Sequence, residues 1–174
     1  MSAIVKGTET SESKSRRAAA LADRIEEGAA GLAAFAEGLS EDEWRRPVSA
    51  TDQRSVGLIV HHVASVYPIE VQVAQAIGSS KAMSDVTWDA IADMNAKHAQ
   101  EQANVTKQDT LELLRSNSRD AAAAVREFSD EQLDTAAPFG LSFDAPVTAQ
   151  FVIEDHALRH SWHHLARIRK AVGR

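Results

Sequence analysis

The sequence predicts an all-α protein, a four-helix up-down bundle with short extra helical turns. Long stretches are rich in strong helix formers, apolar residues recur at helical spacing, and no segment has a convincing strand pattern. With 174 residues, the chain is long enough for one domain with a substantial core. We expect a flexible polar tail at residues 1–12 and a single bundle domain at residues 13–174.

The first helix is predicted at residues 13–38, where apolar side chains follow a helical period and a glycine ends the run. A single short turn comes next. Ser40 and Glu43 form the pattern of a capping box, and the turn must stop before Pro47.

The second long helix is predicted to begin with Ser55 as its N-cap and to end at Gly78. Pro68 lies inside it and removes one backbone donor. Thr87 can cap a third helical region, and Thr106 can open the next helix.

The stretch "FSDEQLD" repeats the character of "LSEDEWR", a capped short turn directly after a long helix. Residues 135–147 contain two prolines and a glycine and are predicted to form a loop. The last helix is expected at residues 148–172.

Composition excludes several classes of function. The formal net charge of −6 and the absence of a basic patch argue against a nucleic-acid partner. No cysteine is present, so the sequence has no disulfides and no thiolate ligands. We find no apolar run of membrane-spanning length and no secretory leader, and we therefore expect a cytoplasmic protein without a membrane partner.

Six of the seven histidines fall in two short runs, "LIVHHVAS" and "HALRHSWHHLARI". An α-helix turns about 100° per residue, which places His62 in the middle of the apolar stripe of the second long helix. His61 points about 100° away. His62 is therefore the predicted buried histidine of this run.

On the last helix, His160 and His164 are an i,i+4 pair within the apolar sector, about 6 Å apart at Cβ. His156 and His163 fall to the other side of His160. His156 could instead form the i,i+4 pair with His160, because only a few tens of degrees separate the two choices by wheel geometry. We favour His164, which lies nearer the centre of the apolar sector.

Three imidazoles in apolar sectors have two explanations. A buried histidine is often a core residue hydrogen-bonded to a carbonyl group. Three of them on facing helices also fit a metal site, because neutral imidazole binds zinc, nickel, copper and iron.

The motifs "RSVGLIVHHVAS" and "RHSWHHLARI", with "FSDEQLD" between them, resemble those of the DinB-like (DinB/YfiT-like) superfamily of helical-bundle metalloproteins. The resemblance extends from about residue 15 to residue 172. It implies a four-helix bundle, often a homodimer, that binds a divalent metal ion through three histidines. Residue by residue, the implied metal ligands are His62, His160 and His164, the set that periodicity selects.

The resemblance also suggests a function. Relatives include the mycothiol-dependent maleylpyruvate isomerase, whose second motif carries a carboxylate ligand where this chain has histidine. We expect a metal-dependent enzyme with a small-molecule substrate, such as a low-molecular-weight-thiol S-transferase with a thiol cosubstrate. The alternatives are a metal-dependent hydrolase and a non-catalytic metal-binding dimeric interaction protein. Zinc and nickel are the expected metals, with iron and manganese as further candidates.

Other polar residues have weaker signals. Asp93, Asn95 and His98 could lie around the metal site, although a solvated polar face is the favoured explanation for each. Asp155 is expected to face solvent, about 140° from His160 on the wheel. No general acid or base can be assigned from the sequence.

The last helix has a second apolar face, which bears on whether the protein forms a homodimer. Phe151, Leu158, Trp162 and Leu165 gather opposite His160. They either pack on a neighbouring helix of the same chain or form the seam of a homodimer.

Overall fold

The computed structural model describes residues 15–174, and the tail predicted at residues 1–12 lies outside them. Within this part of the chain the secondary structure is almost entirely helical. The α-helices are α1 (Arg16–Glu37), α2 (Glu41–Arg45), α3 (Val56–Gly78), α4 (Trp88–Glu101), α5 (Lys107–Arg126), α6 (Asp130–Asp134), α7 (Ala149–Val152) and α8 (Arg159–Val172).

Serine and threonine caps set the helix starts. From α1 to α7, the Ser or Thr before each helix accepts a hydrogen bond from a backbone N–H inside its first turn. The capping box predicted at Ser40 and Glu43 is present, and Ser129 and Gln132 form a second one at α6. The helix starts predicted at Thr87 and Thr106 are also confirmed.

The predicted bundle class is confirmed, and the packing defines which helices are neighbours. α5 packs between α1 and α3, and the C-terminal helical segment contacts both α1 and α3 on the other side. α1 and α3, which follow one another among the long helices, therefore lie across the bundle from each other. This arrangement leaves one edge of α3 facing the C-terminal segment, where the histidines lie.

Residues 135–147 are not entirely a loop. Strands β1 (Ala136–Pro138) and β2 (Pro146–Thr148) form a short antiparallel pair. The sequence did not reveal them because each strand has three residues, too few for an alternating pattern, and each contains a proline. A 3₁₀ turn at Gly140–Ser142 lies between them.

The C-terminal helix is not regular. A π-helical turn at Ile153–Leu158 separates α7 from α8. A π-turn closes its hydrogen bonds one residue later than an α-turn, so it rotates everything upstream relative to α8. A helical wheel drawn through this segment at 100° per residue therefore places the residues before 159 incorrectly.

The second apolar face of the last helix is partly buried within the chain. Leu158 and Leu165 are buried, while Phe151 and Trp162 are 45% and 42% exposed. α8 packs on α1, which covers much of this face. Packing within one chain accounts for the two leucines, and the homodimer stays a prediction.

Contrary to the expectation from the sequence, α3 has the length and apolar composition of a membrane span, with a mean hydropathy of 1.2 in its most apolar window. Within that window, 67% of the residues are buried in the bundle. A buried apolar helix of this kind is typical of the core of a globular domain.

The start of α3 is locked to α2 by one aromatic side chain. Trp44 is buried, and its indole Nε1 donates a hydrogen bond of 3.2 Å to the carbonyl of Val105. Its ring lies directly against Gly57, where a Cβ atom would come within 2.3 Å of the indole. Only glycine allows this approach of helix and ring.

We therefore expect Gly57→Ala to destabilise the protein by about 2–3 kcal/mol, since overpacking forces the indole out of its site. Gly31→Ala is the matched control. Its new Cβ would meet nothing closer than 3.8 Å, so the higher helix propensity of alanine should raise stability by up to about 1 kcal/mol. Urea unfolding followed by circular dichroism measures both. Equal stability of the two variants would contradict the packing described here.

Candidate metal centre

Three histidines from two distant parts of the chain meet where α3 packs against the C-terminal helix. His62 lies on α3, and His160 and His164 lie one turn apart on α8. Each offers a ring nitrogen, and these nitrogens all lie within 4.8 Å of one another. The structure thus brings together the three residues that periodicity selected, and we call them the three-histidine cluster.

Burial keeps the imidazoles of His62 and His164 neutral. His62 and His164 are each 7% exposed. Desolvation is the largest cause that lowers the pKa of His62 to about 3 and that of His164 to about 2. A neutral imidazole keeps an unprotonated nitrogen, which is the form that binds metal ions.

The spacing of the ring nitrogens fits a shared ion. Nε2 of His62 lies 3.2 Å from Nε2 of His160. Two nitrogens bound to one tetrahedral ion at about 2.0–2.1 Å are separated by about 3.3 Å. The pair is therefore already at the distance that a common ion requires.

Glu70 is the residue of this site that sequence reasoning missed. Its carboxylate oxygen Oε1 accepts a hydrogen bond of 2.5 Å from Nδ1 of His160, and its side chain is 9% exposed. This contact places the proton of His160 on Nδ1 and directs the lone pair of Nε2 toward His62. The available signal was that Glu70 is the single acidic residue of α3, two turns after His62.

The donor set passes a further test for a metal. Among residues 15–174, Nδ1 of His164 is a buried nitrogen without a hydrogen-bond partner. A buried polar atom without a partner is rare in folded proteins, and a bound ion is one way to satisfy it. Three imidazoles with a carboxylate behind one of them are a donor set that suits a divalent metal ion.

The other clustered histidines lie outside this cluster. His156 lies in the π-helical turn and packs its ring edge-on against Phe139, with 5.8 Å between ring centroids. The π-turn rotates it away from the i,i+4 position that it would hold beside His160 in a regular α-helix. His61 hydrogen-bonds through Nδ1 to Nε2 of His98 at 2.8 Å, and His163 is exposed at the rim.

A cavity of about 480 Å³ opens beside the three-histidine cluster. Its walls are mostly apolar and come from α3, α4, the 139–141 turn and α7. The apolar lining residues are Val66, Ile69, Val73, Val86, Trp88, Ile91, Met94, Phe139, Leu141 and Val152.

The outer wall of the cavity is a thinly packed helix. None of the residues of α4 is buried, and Trp88 is 58% exposed while its Nε1 donates to the carbonyl of Leu141. Of the polar residues predicted around the site, Asn95 lines the cavity and His98 contacts His61, whereas Asp93 is exposed. α4 therefore covers the site without being part of the core.

Charged residues form the polar end of the cavity. Arg54 and Arg167 line it, and Asp52 binds both guanidinium groups behind the wall. Hydrogen bonds from Arg54, and then from Arg167, hold the pKa of Asp52 well below its usual range. Asp155, expected to face solvent, instead lines the cavity and pairs with Arg159 at 3.1 Å.

Comparison with known proteins agrees with this fold. The sequence model described as the DinB superfamily matches residues 24–168. No curated protein matches the sequence. Among solved structures, YfiT from Bacillus subtilis superposes with a TM-score of 0.74 at 17% sequence identity, over 97% of this chain and 92% of YfiT. YfiT has been described as a probable metal-dependent hydrolase with an unusual four-helix bundle topology. At this identity, the likeness shows a shared fold.

The cluster predicts which histidines matter for metal content. We expect the protein, purified without a histidine tag, to hold about one divalent ion per chain. Replacing His62, His160 or His164 with Ala removes one of three donors and should reduce the bound metal to a small fraction of that. Elemental analysis by mass spectrometry measures the content, and circular dichroism verifies that each variant is folded.

His156→Ala is the matched control, because it removes a cavity histidine outside the cluster and should retain full metal content. Glu70→Ala tests the carboxylate behind His160 and should weaken metal affinity by about 10–100-fold in a chelator competition. Metal retention by His164→Ala together with loss in His156→Ala would contradict the assignment.

The Asp52 cluster predicts a pH-dependent contribution to stability. The pKa of an aspartate in the unfolded chain is about 3.9. Because the pKa of Asp52 is lower in the folded protein, its carboxylate stabilises the fold above about pH 4, and this stabilisation is lost as the pH falls below that value. We expect Asp52→Asn to lower the free energy of unfolding by about 1–3 kcal/mol at neutral pH, and this deficit should shrink below about pH 4. Urea unfolding across pH measures it, with the exposed Asp93→Asn as control. A deficit that does not change with pH would be inconsistent with this account.

Proposed function

This chain belongs to the DinB superfamily, and we propose that it is a divalent-metal-dependent enzyme that acts on a small organic molecule. The observation that carries the proposal is the three-histidine cluster in the wall of a cavity of about 480 Å³. Small-molecule sites have volumes of about 300–1,000 Å³, with apolar walls and few polar groups. A non-catalytic metal-binding protein has no need for such a cavity beside its ion.

The residues have separate roles in this proposal. His62, His160 and His164 hold the ion, and Glu70 keeps the proton of His160 on Nδ1, away from the ion. A bound zinc or nickel ion supplies Lewis acidity, which polarises a carbonyl group and makes a coordinated nucleophile more acidic. The apolar walls exclude bulk water around the substrate.

Hydrolysis is the reaction class that the geometry supports best. Besides the cluster, a hydrolase needs a proton acceptor, and His156 offers one in the same cavity. Burial lowers the pKa of His156, so its imidazole is neutral and able to accept a proton. The size of the cavity suits one small substrate with water better than two organic substrates at once. YfiT is described as a probable metal-dependent hydrolase, which also favours testing hydrolysis first.

Thiol S-transfer is the second candidate, and the arginines in the cavity favour it. Some low-molecular-weight thiols carry carboxylate groups, which guanidinium groups bind well. The thiol itself could take the open position of the ion. The homodimer and the cytoplasmic location expected from the sequence are compatible with both the hydrolase and the S-transferase.

The decisive experiment combines metal loading with two substrate screens. The zinc- or nickel-loaded protein is incubated with esters, amides and lactones in water, and separately with thiols and electrophiles. We expect metal-dependent hydrolysis that chelation abolishes and metal restores. His156→Gln should reduce kcat by about 100-fold or more while metal content stays unchanged.

Each alternative has its own outcome. Turnover that requires an added thiol, with no hydrolysis, would replace the hydrolase by the S-transferase. Failure of the protein to take up any divalent ion on titration would exclude both enzymes.

A further inference from the structure

The cavity has two chemically different ends. The three-histidine cluster and the apolar walls occupy most of its lining, whereas Arg54 and Arg167 bring positive charge to one side. Arg54 directly precedes Ser55, the N-cap of α3, and Arg167 lies one turn beyond His164 on α8. One guanidinium group therefore comes from the residue just before the capped start of α3 and the other from α8, next to the two helices that carry the cluster.

One carboxylate serves both guanidinium groups. Asp52 accepts from Arg54 through Nε at 2.9 Å and Nη2 at 2.7 Å, and from Arg167 through Nη2 at 3.0 Å. In the described part of the chain, Asp52 is the carboxylate within ion-pair distance of either arginine. Two positive charges and one negative charge leave one positive charge uncompensated at this end.

The remaining arginine of the cavity is balanced differently. Arg159 pairs one-to-one with Asp155, at 3.1 Å between Nε and Oδ1. It therefore adds no net charge. The cavity lining also includes the Glu70 carboxylate, which lies at the cluster end against Nδ1 of His160. The uncompensated positive charge is therefore local to the Arg54–Asp52–Arg167 group, in a protein whose formal net charge is −6.

Both arginines lie close to the cluster. Arg54 and Arg167 line the same cavity as His62 and His164, and Arg167 follows His164 by one turn of α8. A ligand held by these guanidinium groups would therefore lie beside the cluster, with its remaining atoms against the apolar walls.

We infer that the cavity binds a small amphipathic monoanion, an apolar molecule with one carboxylate, whose carboxylate is held by Arg54 and Arg167. Guanidinium groups bind carboxylates through paired, charge-assisted hydrogen bonds. The single uncompensated charge favours a carboxylate over a phosphate dianion. This inference rests on the proposed function for its reacting site and names the substrate class of that site.

The test is calorimetric binding of matched probes to the full chain, both metal-free and zinc-loaded. The probes are 4-phenylbutanoate, the neutral 4-phenylbutanamide and phenyl phosphate. We expect the carboxylate to bind at least about tenfold more tightly than the amide in both forms of the protein, as a charge-assisted contact predicts. The carboxylate should also bind more tightly than the phosphate.

Three variants locate the contact. Arg167→Met and Arg54→Met should each remove most of the preference for the carboxylate over the amide. Arg159→Met, which changes a balanced arginine in the same cavity, should leave the preference within about twofold. Circular dichroism verifies the fold of each variant, and the comparison of probes on the unmodified protein does not depend on them.

Several results would overturn the inference. They are equal binding of carboxylate and amide, no binding of the carboxylate at millimolar concentration, tighter binding of the phosphate, or a preference that survives both arginine substitutions. If the carboxylate is preferred over the amide only when zinc is bound, the carboxylate binds the ion and not the arginines, and the inference is wrong. Zinc uptake without the preference would refute the anion site alone. The preference without zinc uptake would refute the proposed metal enzyme alone.

Discussion

The confinement of three imidazoles between α3 and the C-terminal helix is the constraint on which the rest of the site depends. Burial keeps His62 and His164 neutral, and neutral rings in apolar surroundings still need partners for their nitrogens. Within residues 15–174, Nδ1 of His164 has none. A shared divalent ion would satisfy this need, and the 3.2 Å between Nε2 of His62 and Nε2 of His160 is suited to it.

Two local irregularities determine which histidines join the cluster and how they are oriented. The π-helical turn at Ile153–Leu158 rotates His156 away from the cluster, so that it packs against Phe139 instead. Glu70, in the otherwise apolar α3, orients His160 through Nδ1. Each feature departs from an ideal helix or an apolar core, and each is located at the candidate site, where such departures are expected.

The cavity combines a rigid floor with a thin cover. The floor belongs to α3 and α8, whose apolar faces are buried in the bundle, whereas α4 contributes no buried residue. Elements with little buried surface open at a lower free-energy cost than the core. A substrate could therefore enter beside α4 while the histidines and Asp52 stay in place.

The sequence by itself determined the local structure and the inward-facing histidines. Helix starts follow from caps such as Ser55 and Thr87, which bind backbone groups three residues away, and His62, His160 and His164 follow from helical periodicity. The tertiary structure alone decided the contacts between distant segments: Glu70 with His160 across 90 residues and Asp52 with Arg167 across 115. It also decided the exclusion of His156, the short β1–β2 pair and the neighbours of each helix. The physical reason is range, because caps and periodicity act within a few residues, whereas ion pairs, cavities and helix packing depend on how whole elements meet.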